Sequence, residues 1–177
     1  TFTGRTELWS FMLRYSGQNL WSGAGFQSFW QIGNDSPSVT EGNSWSAGAF
    51  YGHQGYLDLI VTIGLPGLIL SLLFVLVRPA IDIAKIKRSS VELEMFIGFW
   101  IFLLLQNGTE STILSRASAS WFFGLVAIAG IKMLRIEEYE DAVENLRNSN
   151  NNSLRSPPKF RRVTNGFEAE SPYHNGR

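Results

Sequence analysis

His53 is the residue of this chain with the clearest capacity for chemistry, and it stands with Gln54 just before a long apolar segment. An imidazole exchanges a proton near neutral pH, so it can act as a base or as a switchable cation. Gln54 adds a hydrogen-bond donor and an acceptor beside it. A polar pair at the start of a membrane-length segment indicates chemistry on a substrate that is part polar and part lipid. The alternative is an ordinary polar residue at a membrane interface.

Arg5 is the second candidate, because it lies at the start of a short helix predicted over residues 6–15. The unpaired N–H groups of a helix start attract anions, and arginine adds a cation that can bind a phosphate through two hydrogen bonds. Together they suit a phosphate or a diphosphate. Taken alone, this feature favours a surface arginine paired with Glu7 or Asp35, since single arginines are common and surface ion pairs are weak.

Further side chains are predicted to bind substrate near these two, or to shape the site. Asp58 is expected to pair with an arginine or to orient His53, although a carboxylate in contact with water is an equally good interpretation. Aromatic residues at the density found in residues 1–55 suit a membrane interface or a sugar-stacking surface. The predicted substrate-binding residues are Gln54, Trp9, Tyr56, Glu110 and Arg116.

Three apolar runs are predicted to be transmembrane helices, at about residues 56–77, 89–106 and 117–134. The first has one charge at its start and is long enough to cross a bilayer. The other two runs are shorter, and each could equally be the buried core helix of a soluble protein. Gly64 and Gly67 flank a Leu-Pro pair and are predicted to kink the first helix. The predicted fold is an all-α, polytopic integral membrane protein.

The charges between the first two runs predict the orientation of the chain. This loop is rich in lysine and arginine, which assigns it to the cytoplasm. Residues 1–55 then form an aromatic-rich loop on the opposite, periplasmic face of a bacterial inner membrane. Residues 135–177 are predicted to be a cytoplasmic, largely disordered tail, with a short charged helix near residues 136–146.

Composition narrows the function further. The net charge is zero, with 15 basic and 15 acidic residues, so nothing in it predicts nucleic-acid binding. The chain has no cysteine, which excludes disulfides and thiolate metal sites. No motif for a metal or a cofactor is present, and none is expected. The sequence begins within what resembles the middle of a protein, so we expect a C-terminal piece of a longer one.

Several motifs together resemble one family. The stretch from Thr3 to Trp9, the Gly-Ala-Gly-Phe at residues 23–26, and His53-Gln54 followed at fixed spacing by Gly64 and Gly67 are similar to the bacterial O-antigen ligase and polysaccharide polymerase superfamily. Within it, the exopolysaccharide production polymerases are most similar. The resemblance covers residues 1 to about 134.

This resemblance implies a metal-independent membrane glycosyltransferase whose donor is an oligosaccharide on a polyprenyl diphosphate. Arg5 would stabilise the diphosphate charge. His53 would act either as a general base for the acceptor hydroxyl or, as imidazolium, as a diphosphate ligand. The implied partners are the lipid-linked glycan, the bilayer and other polysaccharide export proteins. An O-antigen ligase acting on a lipid A core, a non-catalytic transporter subunit and, less well supported, a haem-handling protein are the alternatives.

Overall fold

The computed structural model describes residues 3–31, 33–42, 44–115 and 117–155, without the side chains of residues 3, 44, 45 and 153–155. This part of the chain is helical and holds no strand, which confirms the all-α class. The helices are α1 (Thr3–Gln18), α2 (Pro37–Thr40), α3 (Ser44–Ala47), α4 (Gly55–Leu72), α5 (Arg78–Lys85), α6 (Val91–Gln106) and α7 (Ala119–Arg155), with a π-helical segment, Leu73–Val77, between α4 and α5.

The region before α4 folds around a buried core of its own. Helix α1 is longer than predicted at both ends. Its apolar face packs on α4 and on the ring of Phe29, which is fully buried. The ring centroids of Phe11 and Tyr15 lie 5.6 Å and 5.0 Å from that of Phe29. This cluster comprises Leu8, Phe11, Met12, Tyr15, Phe29 and Val61. The short helices α2 and α3 follow Phe29 in the chain.

Helix α4 has a break at Gly64, as the sequence predicts. Gly64 has φ +71° and ψ −178°, a conformation that is open essentially to glycine alone. A methyl group there would lie 2.5 Å from the carbonyl oxygen of Trp21. Residues 20–24, here named the docking loop, therefore lie against the backbone of α4. At Gly67, by contrast, a methyl group would overlap Ile63 of the same helix, so this glycine makes room for its own helix and not for a neighbouring one.

The docking loop replaces hydrogen bonds that the break removes from α4. In an unbroken helix the N–H of Leu65 would donate to the carbonyl of Val61. Here Leu65 donates to the Leu20 carbonyl at 2.7 Å, and the Val61 carbonyl accepts from the N–H of Ala24 at 2.8 Å. Both freed backbone groups are thus satisfied by one loop.

A second helix hydrogen bond is replaced by a contact from another element where α4 continues through the π-helical segment into α5. Pro79 has no N–H to offer to the carbonyl of Val75, one turn earlier. That carbonyl accepts instead from the indole Nε1 of Trp100 on α6, at 2.6 Å. Farther along the chain, in α5, the side chain of Asp82 is 2 % exposed. Its carboxylate lies 3.1 Å from Arg78 and 2.9 Å from Arg135 of α7.

Two helices of the described residues are long and apolar enough to cross a membrane. They are Gly55–Lys85, with 31 residues, and Ala119–Asn152, with 34. Only 17 % and 28 % of their most apolar stretches are buried within the protein, whereas the core helix of a soluble protein is mostly buried. Helix α6 has 16 residues and spans about 24 Å, less than the ~30 Å of a bilayer core. The second predicted span, residues 89–106, therefore stays a prediction.

The C-terminal part of the chain forms a separate unit, residues 141–177, of which residues 141–155 are described. These residues are helical and belong to α7. The prediction that the helix ends near residue 146 is wrong, because α7 continues to Arg155. The remainder of the predicted disordered tail lies outside the described residues.

Candidate functional site

Both predicted catalytic side chains meet a third candidate in the structure. The Glu110 carboxylate lies 3.3 Å from Nδ1 of His53 and 3.6 Å from a guanidinium nitrogen of Arg5. The three side chains come from the turn after α6, the segment before α4 and the first turn of α1. They are 39 %, 33 % and 37 % exposed, respectively, so solvent and a ligand can reach each of them. We name them the Arg5–Glu110–His53 cluster.

His53 is held in an uncommon backbone conformation. Its φ is +51°, in the left-handed region that few residues other than glycine adopt. The imidazole lies against the ring of Tyr51, with the centroids 4.3 Å apart and the planes at 56°. Residues in this region persist where surrounding contacts hold them. The backbone contacts of the preceding residue are therefore important for the position of the imidazole.

Asp58, on the first turn of α4, provides those contacts. One carboxylate oxygen accepts from Nε1 of Trp30 at 2.8 Å. The other accepts from the N–H of Gly52 at 2.9 Å and from the hydroxyl of Ser111. Three donors thus satisfy one partly buried carboxylate. Among the described residues no arginine pairs with it, although the sequence had suggested one as its partner.

The position of these donors in the chain gives Asp58 its importance. Gly52 immediately precedes His53, and Ser111 immediately follows Glu110. By binding both neighbours, the Asp58 carboxylate fixes two members of the cluster relative to each other. Asp58, which the sequence suggested could orient His53, hydrogen-bonds the backbone of the preceding residue, Gly52, and not the imidazole.

Trp9 and Gln54, predicted to bind substrate, make contacts within the protein. The indole N–H of Trp9 donates to the Gly52 carbonyl at 2.8 Å. The side-chain oxygen of Gln54 accepts from the N–H of Leu57 and so caps the start of α4. Both side chains stabilise the segment that carries His53, a role that the sequence did not predict. Their predicted substrate contacts remain predictions.

Tyr56 also has a positional role. Its hydroxyl donates to the Leu104 carbonyl of α6 at 3.0 Å. One residue earlier, the N–H of Gly55 donates to the Asn107 carbonyl at 2.9 Å. The side chain of Asn107 is fully buried and accepts backbone N–H groups farther along the same turn. These bonds join the start of α4 to the turn that presents Glu110.

The sequence analysis did not single out every residue that builds this site. Arg116, a predicted binding residue, lies outside the described residues. The glycines at 64 and 67 shape α4 about three to four turns away from His53, and neither is in contact with the cluster. The residues that were missed as positioning groups share one feature, a contact with Asp58 or with His53: Trp30, Gly52, Ser111 and Tyr51. Tyr51, Gly52 and Ser111 lie within two residues of His53 or Glu110 in the sequence, which was the available signal, whereas no local signal pointed to Trp30.

Within the described ranges, no three histidine, aspartate or glutamate side chains come together to hold a metal ion. No protein-family model, curated protein or solved structure matches the chain. The chemistry of the Arg5–Glu110–His53 cluster is therefore the main guide to what the molecule does.

Proposed function

We propose that this chain belongs to a bacterial inner-membrane glycosyltransferase that transfers glycan from a polyprenyl diphosphate to the hydroxyl of a lipid-linked sugar, and so polymerises exopolysaccharide repeats. The observation that carries the proposal is the accessible Arg5–Glu110–His53 cluster beside the start of a membrane-length apolar helix. The cluster combines a fixed cation, a titratable base and a carboxylate, and the adjoining helix surface suits a lipid.

The surroundings of the cluster support a position at the boundary of lipid and water. Leu105 is 72 % exposed and lies one turn before the Glu110 turn. Asn107 follows shortly and binds the backbone of Gly55, two residues after His53. Exposed apolar surface therefore reaches the same level as the cluster. The basic residues of the segment between α5 and α6 lie at the opposite helix ends, which favours a periplasmic position for the cluster.

Arg5 has the chemistry to hold a diphosphate in this position. A guanidinium offers five N–H donors, and only one nitrogen lies near Glu110. The remaining donors and the first N–H groups of α1 are suited to phosphate oxygens. As the bond to the sugar breaks, the diphosphate gains negative charge, which a prepositioned cation stabilises without a metal.

Glu110 favours the role of His53 as a base. An ionised carboxylate can only accept hydrogen bonds, so the Nδ1 that faces it carries the proton in the neutral imidazole. The lone pair is then on Nε2. In the proposed step the acceptor hydroxyl oxygen bonds to the anomeric carbon and its proton passes to Nε2. The bond from the anomeric carbon to the diphosphate oxygen breaks, and polyprenyl diphosphate leaves with the electron pair.

The test uses the full-length protein carrying His53→Ala or Arg5→Ala in a strain that lacks the native copy. The matched controls are His174→Ala, the other histidine of the chain, and Arg147→Ala, an exposed arginine of α7. Removal of a general base typically costs about 100-fold to 10,000-fold in rate. We expect long glycan to disappear from size gels while lipid-linked single repeats accumulate, with membrane protein levels unchanged and both controls active.

Other results would contradict the proposal in distinct ways. Long glycan that persists but is no longer joined to a lipid A core would identify a ligase. Purified protein that moves lipid-linked glycan across vesicles without consuming it would identify a transporter. If neither His53→Ala nor Arg5→Ala changes the glycan, the catalytic assignment is wrong.

A further inference from the structure

The break at Gly64 separates two parts of α4 that point in different directions. The N–H of Gly55 donates to the Asn107 carbonyl, and the Val75 carbonyl accepts from the indole of Trp100. In a straight helix Gly55 and Val75 would be 20 residues, or about 30 Å, apart. Their partners are only seven residues of α6, or about 10.5 Å, apart, and the reach of the indole does not make up the difference. Helix α4 therefore bends at Gly64, and its first part lies across the end of the second.

The exposure of α4 changes at the same point. None of residues 55–65 is exposed, because they pack on α1 and toward α6. Beyond the break, seven large apolar side chains between Ile69 and Ile81 are exposed. We name residues 65–85 the exposed span. Its 21 residues extend about 30 Å, which matches the thickness of a bilayer core, so the first part of α4 is not needed to cross a membrane.

Trp21 lies at the beginning of the exposed span. The N–H of Leu65 donates to the Leu20 carbonyl, and a methyl group on Gly64 would lie 2.5 Å from the carbonyl oxygen of Trp21. The Trp21 side chain is 73 % exposed, and among the described residues its indole donates to no protein group. The indoles of three other tryptophans all donate within the protein. The Trp21 indole is therefore available to a partner at this level of α4.

The chain around Trp21 carries no charge. Residues 19–34 are 16 consecutive residues without aspartate, glutamate, lysine, arginine or histidine. Phe26, in the same stretch, is 51 % exposed. Charged side chains are costly to move out of water, whereas an indole has an apolar body and a polar N–H, and is enriched at the headgroup level of membranes. This stretch is therefore suited to lipid headgroups as its partner.

We propose that one surface of the bilayer lies at the level of Gly64, and that the docking loop rests on this surface with the Trp21 indole among the lipid headgroups. The exposed span then crosses the hydrocarbon core, and the basic segment that follows Lys85 lies at the opposite face. The first part of α4 lies over the lipid surface and carries the Arg5–Glu110–His53 cluster at its start. The proposal rests on the membrane location in the proposed function and not on its chemistry.

Spin-label depth measurements in lipid vesicles test this level. The chain has no cysteine, so single cysteines can be labelled in the full-length protein after any cysteine elsewhere in it is replaced by serine. The variants are Ser22→Cys in the docking loop, Leu70→Cys in the exposed span and Glu144→Cys in α7, the last as the aqueous control; all three positions are exposed. The vesicles contain phosphatidylethanolamine and phosphatidylglycerol. Depth follows from the ratio of collisions with oxygen, which concentrates in lipid, to collisions with a nickel chelate, which stays in water.

We expect the label at Ser22 to lie at the headgroup level and the label at Leu70 to lie up to about 9 Å deeper, since Leu70 follows Gly64 by six residues. The depths should be the same in His53→Ala, which separates this proposal from the chemistry of the proposed function. A Ser22 label as deep as that at Leu70, or as accessible to nickel as that at Glu144, would overturn the proposal. A Ser22 label shielded from both reagents would also overturn it, because protein would then cover the docking loop.

Trp21→Phe tests the indole directly. The difference in fluorescence between wild type and this variant isolates the signal of Trp21, and the exposure of the side chain makes the change compatible with the fold. We expect lipids brominated near the glycerol end of their chains to quench this signal more strongly than lipids brominated near the chain ends. Stronger quenching by the chain-end bromines would place Trp21 in the hydrocarbon core, and quenching by aqueous iodide alone would place it in water. Either result would contradict the assigned level.

Discussion

Replacement of Gly64 by alanine tests whether the break in α4 and the docking loop form one structural unit. The backbone at Gly64 is in a region essentially restricted to glycine, and an alanine held there is strained by about 1–3 kcal/mol. The new methyl group would also lie 2.5 Å and 2.7 Å from the carbonyl oxygen and carbon of Trp21. Because these are backbone atoms, no side-chain rotation can relieve the overlap, and the docking loop must move.

Movement of the docking loop breaks the hydrogen bonds that it makes to α4. The bonds from Leu65 to Leu20 and from Ala24 to Val61 are short, at 2.7 Å and 2.8 Å. Each contributes about 0.5–1.5 kcal/mol net. Added to the backbone strain, their loss gives a destabilisation of about 2–6 kcal/mol. At about 2–4 °C per kcal/mol for a domain of 150–250 residues, the middle of that range, about 4 kcal/mol, lowers Tm by about 8–16 °C.

The assay is thermal unfolding of the full-length protein in detergent, followed by tryptophan fluorescence. Gly98→Ala is the matched control, since Gly98 lies in α6 and a methyl group there would meet no atom within 4 Å. That variant should melt at or slightly above the wild-type temperature, because alanine is the better helix former. If Gly64→Ala and Gly98→Ala melt at the same temperature, the docking loop does not replace the hydrogen bonds of α4 and the reasoning is refuted.

Three further predictions test other contacts. Trp100→Phe removes the donor to the Val75 carbonyl and should lower the free energy of unfolding by about 1–3 kcal/mol. Adding Pro79→Ala, which restores a backbone N–H, should recover part of the lost Tm. Strict additivity of the two changes would contradict this explanation. Asp82→Asn should lower Tm more than Arg78→Lys, since it leaves Arg135 without its 2.9 Å partner; equal melting of the two would show that the pair contributes nothing. Glu110→Gln should reduce polymer synthesis in membranes only about two- to fivefold, since exposed ion pairs contribute about 0.2–1 kcal/mol. A loss as large as that of His53→Ala would show that Glu110 takes part in the reaction directly.

The sequence predicted the break in α4 but not its partner. A Gly-Leu-Pro-Gly stretch in an apolar run disrupts a helix by its own conformational preferences, so Gly64 could be identified locally. The loop that satisfies the freed groups lies about 40 residues earlier in the chain. No local pattern couples residues 20–24 to α4, because that pairing depends on how α1 packs.

The candidate site shows the same limit. His53, Arg5 and Glu110 could be chosen from residue type together with position, because each lies at the start of a predicted helix or in the turn between two apolar runs. The pairing of Glu110 with both of the others depends on the turn after α6 and its bonds to Gly55, which are non-local. Apolar length predicted both the long first helix and the shorter α6, at residues 89–106 against Val91–Gln106 in the structure, because both depend on local composition.

Two carboxylates near His53 have different roles, and their surroundings explain why. Asp58 is partly buried and accepts three hydrogen bonds, two of them from residues next to His53 and Glu110. A carboxylate that is satisfied in this way gains little by binding a ligand and holds the backbone instead. Within the described residues, the Glu110 carboxylate contacts the side chains of His53 and Arg5, at 3.3 Å and 3.6 Å, and it remains 39 % exposed. Under the proposed function, an incoming diphosphate would therefore displace it from Arg5 at small cost, while the backbone bound by Asp58 would keep the imidazole in place.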